Sequence, residues 1–151
     1  MKNRPRQLGF FFAAAVFAYA LDRLTKYLVE HHLAARGPVV LIPHVLDLRY
    51  TTNSGGAFGI LGSEPWLFFG ATILVSVVIV VAAFRVDSAA TLLGLGLVLG
   101  GALGNLTDRV GHARVTDFID FHVWPVFNAA DSAIVIGAIV VALAGTRRSN
   151  A

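Results

Sequence analysis

Between Trp66 and Phe84 the chain runs for 19 residues without one ionisable side chain. At ~1.5 Å of rise per residue, a helix of that length nearly crosses the ~30 Å hydrocarbon core of a bilayer. Three further apolar stretches accompany it: Leu8 to Val29, Ser88 to Leu106 and Asn128 to Thr146. Hydrophobic residues make up 56% of the chain and charged residues only 14%, well outside the balance of a soluble domain. The expectation is an all-α membrane protein: one domain over residues 1–151 with four transmembrane helices, at about 8–29, 66–84, 88–106 and 128–146. The twelve Lys and Arg are scattered and form no basic stripe interleaved with aromatics. That argues against nucleic acid and leaves membrane lipid head groups as the partner for the net positive charge. With no Cys, disulfides, thiol nucleophiles and thiolate metal sites are excluded.

Helices that alternate in direction put both termini on one side, with loops 30–65 and 107–127 on the other. Each side carries six Lys and Arg, but the terminal side has only Asp87 as an acid. Three of the opposite six, Arg23, Lys26 and Arg109, belong to motifs discussed below, so both termini are placed in the cytoplasm. A competing reading takes the basic N-terminus, Leu8 to Val16 and Ala18-Tyr19-Ala20 as a secretory signal peptide. Cleavage there would discard the helix that holds Asp22 and Lys26. In the long outer loop, Val39 to Ile42 is a β-branched run closed by Pro43. Leu46 to Tyr50 then alternates apolar with charged residues, and Asn53-Ser54-Gly55-Gly56 reads as a turn. These residues read as a small β element resting on the outer membrane surface, with a short loop or helix at 107–127 and Trp66 and Trp124 as interface anchors.

Polar residues collect at that side. In the third stretch Gly96, Gly100 and Gly104 recur every four residues, and Gly101 stands four before Asn105, so one face is bare enough for a close helix neighbour. Asn105, Asp108 and Arg109 share a face at i+3 and i+4 spacing, as do Asp22 and Lys26. Charge at the edge of a membrane segment is costly unless paired, which makes each such group a functional candidate.

Asp117 and Asp131 form the pair with the clearest chemistry. Two carboxylates together at an apolar boundary do not both ionise; one keeps a proton while the other accepts one from water, as in aspartic proteases. The structural alternatives stand beside this. Asn128-Ala129-Ala130-Asp131 has capping-box geometry, Asp117 after Thr116 suits the cap of a short surface helix, and Asn53 suits a turn. His31, His32, His44, His112 and His122 lack metal-ligand spacing, and Ser54 lacks an evident base.

Five motifs occur in order: Asp22-Arg23-Leu24-Thr25-Lys26, Asn53 to Phe58, Gly101 to Arg109, Val115-Thr116-Asp117-Phe118 and Phe127 to Asp131. Together they resemble the lipoprotein signal peptidases, the membrane aspartyl proteases also called signal peptidase II, over nearly the whole chain. The resemblance implies a four-helix inner-membrane enzyme with an extracytoplasmic β-cradle. Its substrates would be bacterial prolipoproteins already carrying a diacylglyceryl group, cut just before the modified Cys. It implies Asp117 and Asp131 as the catalytic dyad, with Asp22, Lys26, Asn53, Gly101, Asn105, Arg109, Asn128 and Ala129 shaping the site. It implies no metal, no cofactor and a monomer. The link Ile119 to Val126 is short for the family, which bears on the lid over the site. Two other classes predict a different pattern. A proton-coupled transporter predicts carboxylates spread through the membrane depth, whereas here they gather on one side. A scaffold packed through the glycine face gives no reason for Asn53, Asp117 and Asp131 together.

Overall fold

The computed structural model describes residues 4–54 and 65–149. Four helices and a three-stranded sheet follow in the order α1 (Arg4–Leu33), β1 (Val39–Ile42), β2 (Leu46–Asn53), α2 (Pro65–Ala83), α3 (Ala89–His112), β3 (Val115–Asp120) and α4 (Ala129–Ser149). Among the described residues, three segments are long and apolar enough to cross a membrane, Gln7–Leu33, Ala89–His112 and Ala129–Thr146; within α2, Leu67–Ala83 is a shorter apolar helix. Large apolar side chains such as Phe17, Leu24, Val78 and Ile139 face outward. A helix bundle in water would bury them, while lipid accepts them without cost.

The glycine face of α3 sets how tightly the bundle closes. A β-carbon at Gly96 would overlap the Phe11 carbonyl oxygen, and one at Gly100 would overlap that of Ala15. One step further on, Gly104 lies against the Asp22 carboxylate. Position therefore rises together along α1 and α3, so these two helices run parallel. On another face of α3, Gly101 meets Ala130 and Gly94 meets Gly137, an order that makes α4 antiparallel. The C-terminal ends of α1 and α3 thus meet the first turn of α4. At the opposite end Phe11, Ala15, Ile79, Ala83, Leu92 and Leu99 form the apolar core, in which α2 takes part.

Several elements run past the limits expected from hydropathy. Asp22, Arg23 and Lys26 do not interrupt α1, because each finds a partner of opposite charge within the protein. Helix α3 likewise continues from Leu106 to His112, ending at Ala113 in a left-handed cap whose N–H bonds to the Arg109 carbonyl. The β-cradle is present, with β1 and β2 antiparallel and Val39 opposite Leu48. The second outer loop differs from expectation: Val115–Asp120 is a third strand of the same sheet, neither loop nor short helix, with Thr51 opposite Asp117 and Thr52 opposite Thr116. Its outer edge is also used, since Phe118 and Ile119 both donate to the Phe127 carbonyl at 2.9 and 2.8 Å. Backbone pairing on both sides and the β-branched Val115, Thr116 and Ile119 favour strand. Gly55 to Phe58 of the expected turn, and the side chain of Trp66, lie outside the described residues. Trp124 is exposed, on the link where Val123 is 91% exposed.

Because the α1–α3 contact leaves no room for a side chain at Gly100, Gly100→Val is expected to destabilise the protein by about 1–3 kcal/mol through overpacking. Gly70 has open space around it. Thermal unfolding in detergent should show a lowered midpoint for Gly100→Val and little change for Gly70→Ala.

Candidate active site

Among the described residues, the largest side chains with essentially no exposed surface are Phe11, Lys26, Leu92, Asn128 and Asp22. Three of the five are polar, so the end of the bundle where α4 begins has a core of another kind. Lys26 stands at its centre. Its Nζ lies 3.0 Å from Asp22 Oδ2, 2.8 Å from Asp108 Oδ2 and 2.9 Å from Asn105 Oδ1. An ammonium has three N–H groups, and here there are three acceptors. Asp22 Oδ1 accepts from the Ala130 N–H at 3.0 Å, tying α1 to the first turn of α4. Asp108 also pairs with Arg23 and accepts from the Thr116 N–H at 3.1 Å, which fixes the start of β3. Two acids and two bases leave this cluster without net charge, the condition for keeping it out of water.

The cluster reaches the carboxylates through two asparagines. Asn105 uses its oxygen on Lys26, which turns its amide nitrogen toward Asp131 and places Nδ2 2.8 Å from Oδ1. Asn128 caps α4: its Oδ1 accepts from the Asp131 N–H at 2.9 Å, while Asp131 Oδ2 accepts from the Asn128 N–H at 3.3 Å. This is the capping box, and it leaves Asn128 Nδ2 free to donate elsewhere. That nitrogen lies 2.7 Å from Asp117 Oδ1, 3.1 Å from Asn105 Oδ1 and 3.2 Å from the Thr116 carbonyl. The capping and site readings of Asp131 are therefore compatible, since the cap itself orients the amide that bridges to Asp117.

Asp117 is buried in β3, and its carboxyl is pushed up to about 7, first by loss of hydration and next by the charge of Asp131. Hydrogen bonds from Asn128 and Asn53 and the charge of Lys26 oppose that rise without cancelling it. Asp117 therefore keeps its proton well above the ordinary carboxylate range and gives it up only around neutral pH. Beside Asp131, Phe121, Trp124, Phe127, Val135 and Ile136 line a cavity of about 500 Å³ that is almost wholly apolar. The rings of Phe121 and Phe127 stack at 6.0 Å, forming one wall.

The structure thus gathers Asp22, Lys26, Asn53, Asn105, Asp117, Asn128 and Asp131 into one hydrogen-bonded and electrostatic network. Gly101 serves it by letting Ala130 approach, and Ala129 opens α4 next to Phe118 and Ile119. Arg109 takes a different place from its sequence neighbours. Asp108 is occupied by Arg23 and Lys26, and the Arg109 guanidinium lies 5.6 Å above the Phe68 ring within the field of Asp131 and Asp117. The residues that spacing alone passed over are Glu30 and Thr116, whose hydroxyl donates to Glu30 Oε1 at 2.7 Å. A signal existed: Asp22, Lys26 and Glu30 recur every four residues on one face of α1. Among the described residues no three His, Asp or Glu side chains are placed to hold a metal ion.

Residues 14–147 match the family model described as signal peptidase (SPase) II. The chain belongs to the signal peptidase II family. Within that family it is 41% identical to the lipoprotein signal peptidase of Moorella thermoacetica over 134 residues, 87% of this chain and 89% of that one. It is 44% identical to the lipoprotein signal peptidase of Desulfitobacterium hafniense over 122 residues, covering 79% and 81% of the two chains. A bacterial membrane enzyme solved by the in meso method at 2.3 Å resolution superimposes with a TM-score of 0.85 at 32% identity, over 93% of this chain and 90% of that one. A second, solved at 1.9 Å, gives 0.80 at 33% identity over 90% and 92%. Family membership identifies the chain as a peptidase, and its apolar helices and membrane-enzyme neighbours make it a membrane protein.

Since Lys26 neutralises acids that water does not reach, Lys26→Met should cost about 3–5 kcal/mol, the penalty of leaving a buried charge unpaired. The paired change Lys26→Met with Asp22→Asn should recover part of that loss. Unfolding midpoints in detergent check both, and an unchanged midpoint for Lys26→Met would mean that the cluster is solvated.

Proposed function

We propose that this signal peptidase II family member removes the signal peptide from diacylglyceryl-modified prolipoproteins, cutting just before the lipid-bearing Cys, with Asp117 and Asp131 activating water. The observation that carries the reading is the Asn128 amide at 2.7 Å from Asp117, on the residue that caps Asp131. It ties two carboxyl groups together where one retains a proton near neutral pH.

In this reading Asp131 is the anion. It accepts N–H groups from Asn105 and Asn128 and lies in the first turn of α4, where the helix dipole favours negative charge. As general base it takes a proton from the attacking water. Asp117 donates its proton to the scissile carbonyl oxygen, and the tetrahedral intermediate collapses as a proton passes to the leaving amine. Asn53 and Asn128 donate hydrogen bonds to Asp117, holding the acid in place without adding charge.

Four helices span the bacterial inner membrane with both termini cytoplasmic and the site at the extracytoplasmic surface. A substrate held by its signal helix and acyl chains approaches laterally through the lipid, and its own anchoring supplies orientation. The apolar cavity beside Asp131 and the exposed Trp124 suit such an approach.

Purified protein should release the signal peptide from a diacylglyceryl-modified prolipoprotein, read as a gel shift. Asp117→Asn and Asp131→Asn should fold and lose at least about a hundredfold in rate, the scale of a general acid or base. The raised value of Asp117 sets the sign of the pH dependence. Its proton is present below about 7 and lost above it, so kcat/KM should fall on the alkaline side with a midpoint near 7. Cleavage by either folded variant at the wild-type rate would refute the dyad.

A further inference from the structure

Thr116 precedes Asp117 on β3, and strand alternation sends its side chain to the other face of the sheet. Every polar group it carries is nevertheless committed to the elements around the site. Its hydroxyl donates to Glu30 Oε1 on α1 at 2.7 Å, and its N–H donates to Asp108 Oδ2 on α3 at 3.1 Å. Its carbonyl accepts from Nδ2 of Asn128, the cap of α4, at 3.2 Å. One residue thus joins β3 to three helices, one peptide unit from the Asp117 carboxyl. Two of those ties end on groups that also hold the aspartate network: Asp108 pairs with Lys26, and Asn128 donates to Asp117.

We propose that Thr116, held through its hydroxyl by Glu30, is a positioning residue for the aspartate pair, fixing where strand β3 presents Asp117. The inference rests on the reading of Asp117 and Asp131 as the reacting pair. Glu30 is suited to this part because it stands four residues beyond Lys26 and eight beyond Asp22 on the same face of α1. The helix that anchors the charge cluster therefore also anchors the strand. Without the Glu30 tie, β3 keeps its backbone pairing with β2 but loses its side-chain tether to α1. A shift of Asp117 away from Asn128 follows, and small displacements of reacting groups carry large rate penalties.

The surroundings separate this role from a purely structural one. Glu30 and Thr116 line a cavity of about 400 Å³ together with Tyr50, Thr52, His112 and Arg114. Glu30 is only partly buried, so a carboxylate released from Thr116 turns to water in that cavity and is not stranded in the core. Loss of the bond should therefore change stability little and the position of Asp117 more.

The test measures steady-state cleavage of a diacylglyceryl-modified prolipoprotein by the full chain in detergent, with unfolding midpoints taken alongside. Thr116→Val, which keeps shape but not the hydroxyl, should lower kcat by about 10–100-fold, with KM within about twofold and the midpoint nearly unchanged. Thr116→Ser restores the donor and should restore kcat. Glu30→Ala should match Thr116→Val, Glu30→Gln should rescue because its amide oxygen still accepts, and the double variant should be no slower than either single one. If Thr116→Val does not fold, the two Glu30 variants decide. Wild-type kcat in Thr116→Val or Glu30→Ala, a loss confined to KM, or failure of Thr116→Ser to rescue overturns the proposal. Asp117→Asn in the same assay keeps the two readings apart. If it is inactive while Thr116→Val is fully active, only this inference fails; if it still cleaves, the dyad fails.

Discussion

The ammonium of Lys26 is the interaction on which the half of this protein that holds the carboxylates depends. It is wholly buried, in a chain whose surface is largely apolar, and is tolerable there because α1 and α3 together supply it with two carboxylates and an amide oxygen. The close approach that makes this possible is set by Gly96, Gly100 and Gly104, the last lying directly against the Asp22 carboxylate. Bare helix faces and buried charge are thus one device: the first brings the backbones together, and the second fixes their register where apolar packing would leave it loose.

From that centre, order is passed outward through side-chain amides. Asn105, with its oxygen held by Lys26, offers its nitrogen to Asp131; Asn128, with its oxygen used in capping α4, offers its nitrogen to Asp117. Each amide is oriented by a bond made for a structural reason and spends its remaining donors on a carboxyl group. This lets two acids share a pocket edged by apolar surface without a cation in direct contact with either among the described residues. The burial that raises Asp117 and the neighbouring charge of Asp131 are only partly compensated by Asn128, Asn53 and Lys26, so its carboxyl stays well above the ordinary range.

Much of this architecture is legible in the chain, and the illegible parts have physical causes. The apolar stretches, the glycine spacing of α3 and the alternation of Leu46 to Tyr50 each depend on local periodicity and appear in the structure as helix, helix contact and strand. Helix ends are less legible because hydropathy counts Asp22, Arg23 and Lys26 as interruptions, whereas Lys26 pairs with Asp22 and the distant Asp108, 85 residues from Arg23, pairs with both bases. Strand β3 was missed because Val115 to Asp120 is short and takes its order from β2 and Phe127, contacts that a local pattern does not contain. Within the site, Asp22, Lys26, Asn105 and Asp131 could be named from spacing and resemblance. That Arg109 leaves Asp108 to Arg23 and lies over Phe68 follows only from the packing of α2 against α3.

The central claim is that the two acids share one proton near neutral pH, with Asp117 the group that holds it. Carboxyl infrared difference spectroscopy of the purified protein, titrated with and without Asp117→Asn, observes that proton directly. A protonated carboxyl band should persist well above the ordinary carboxylate range, be half lost near pH 7 and be missing from Asp117→Asn. A band lost with an ordinary carboxylate midpoint near 4, or one unchanged in Asp117→Asn, would contradict it.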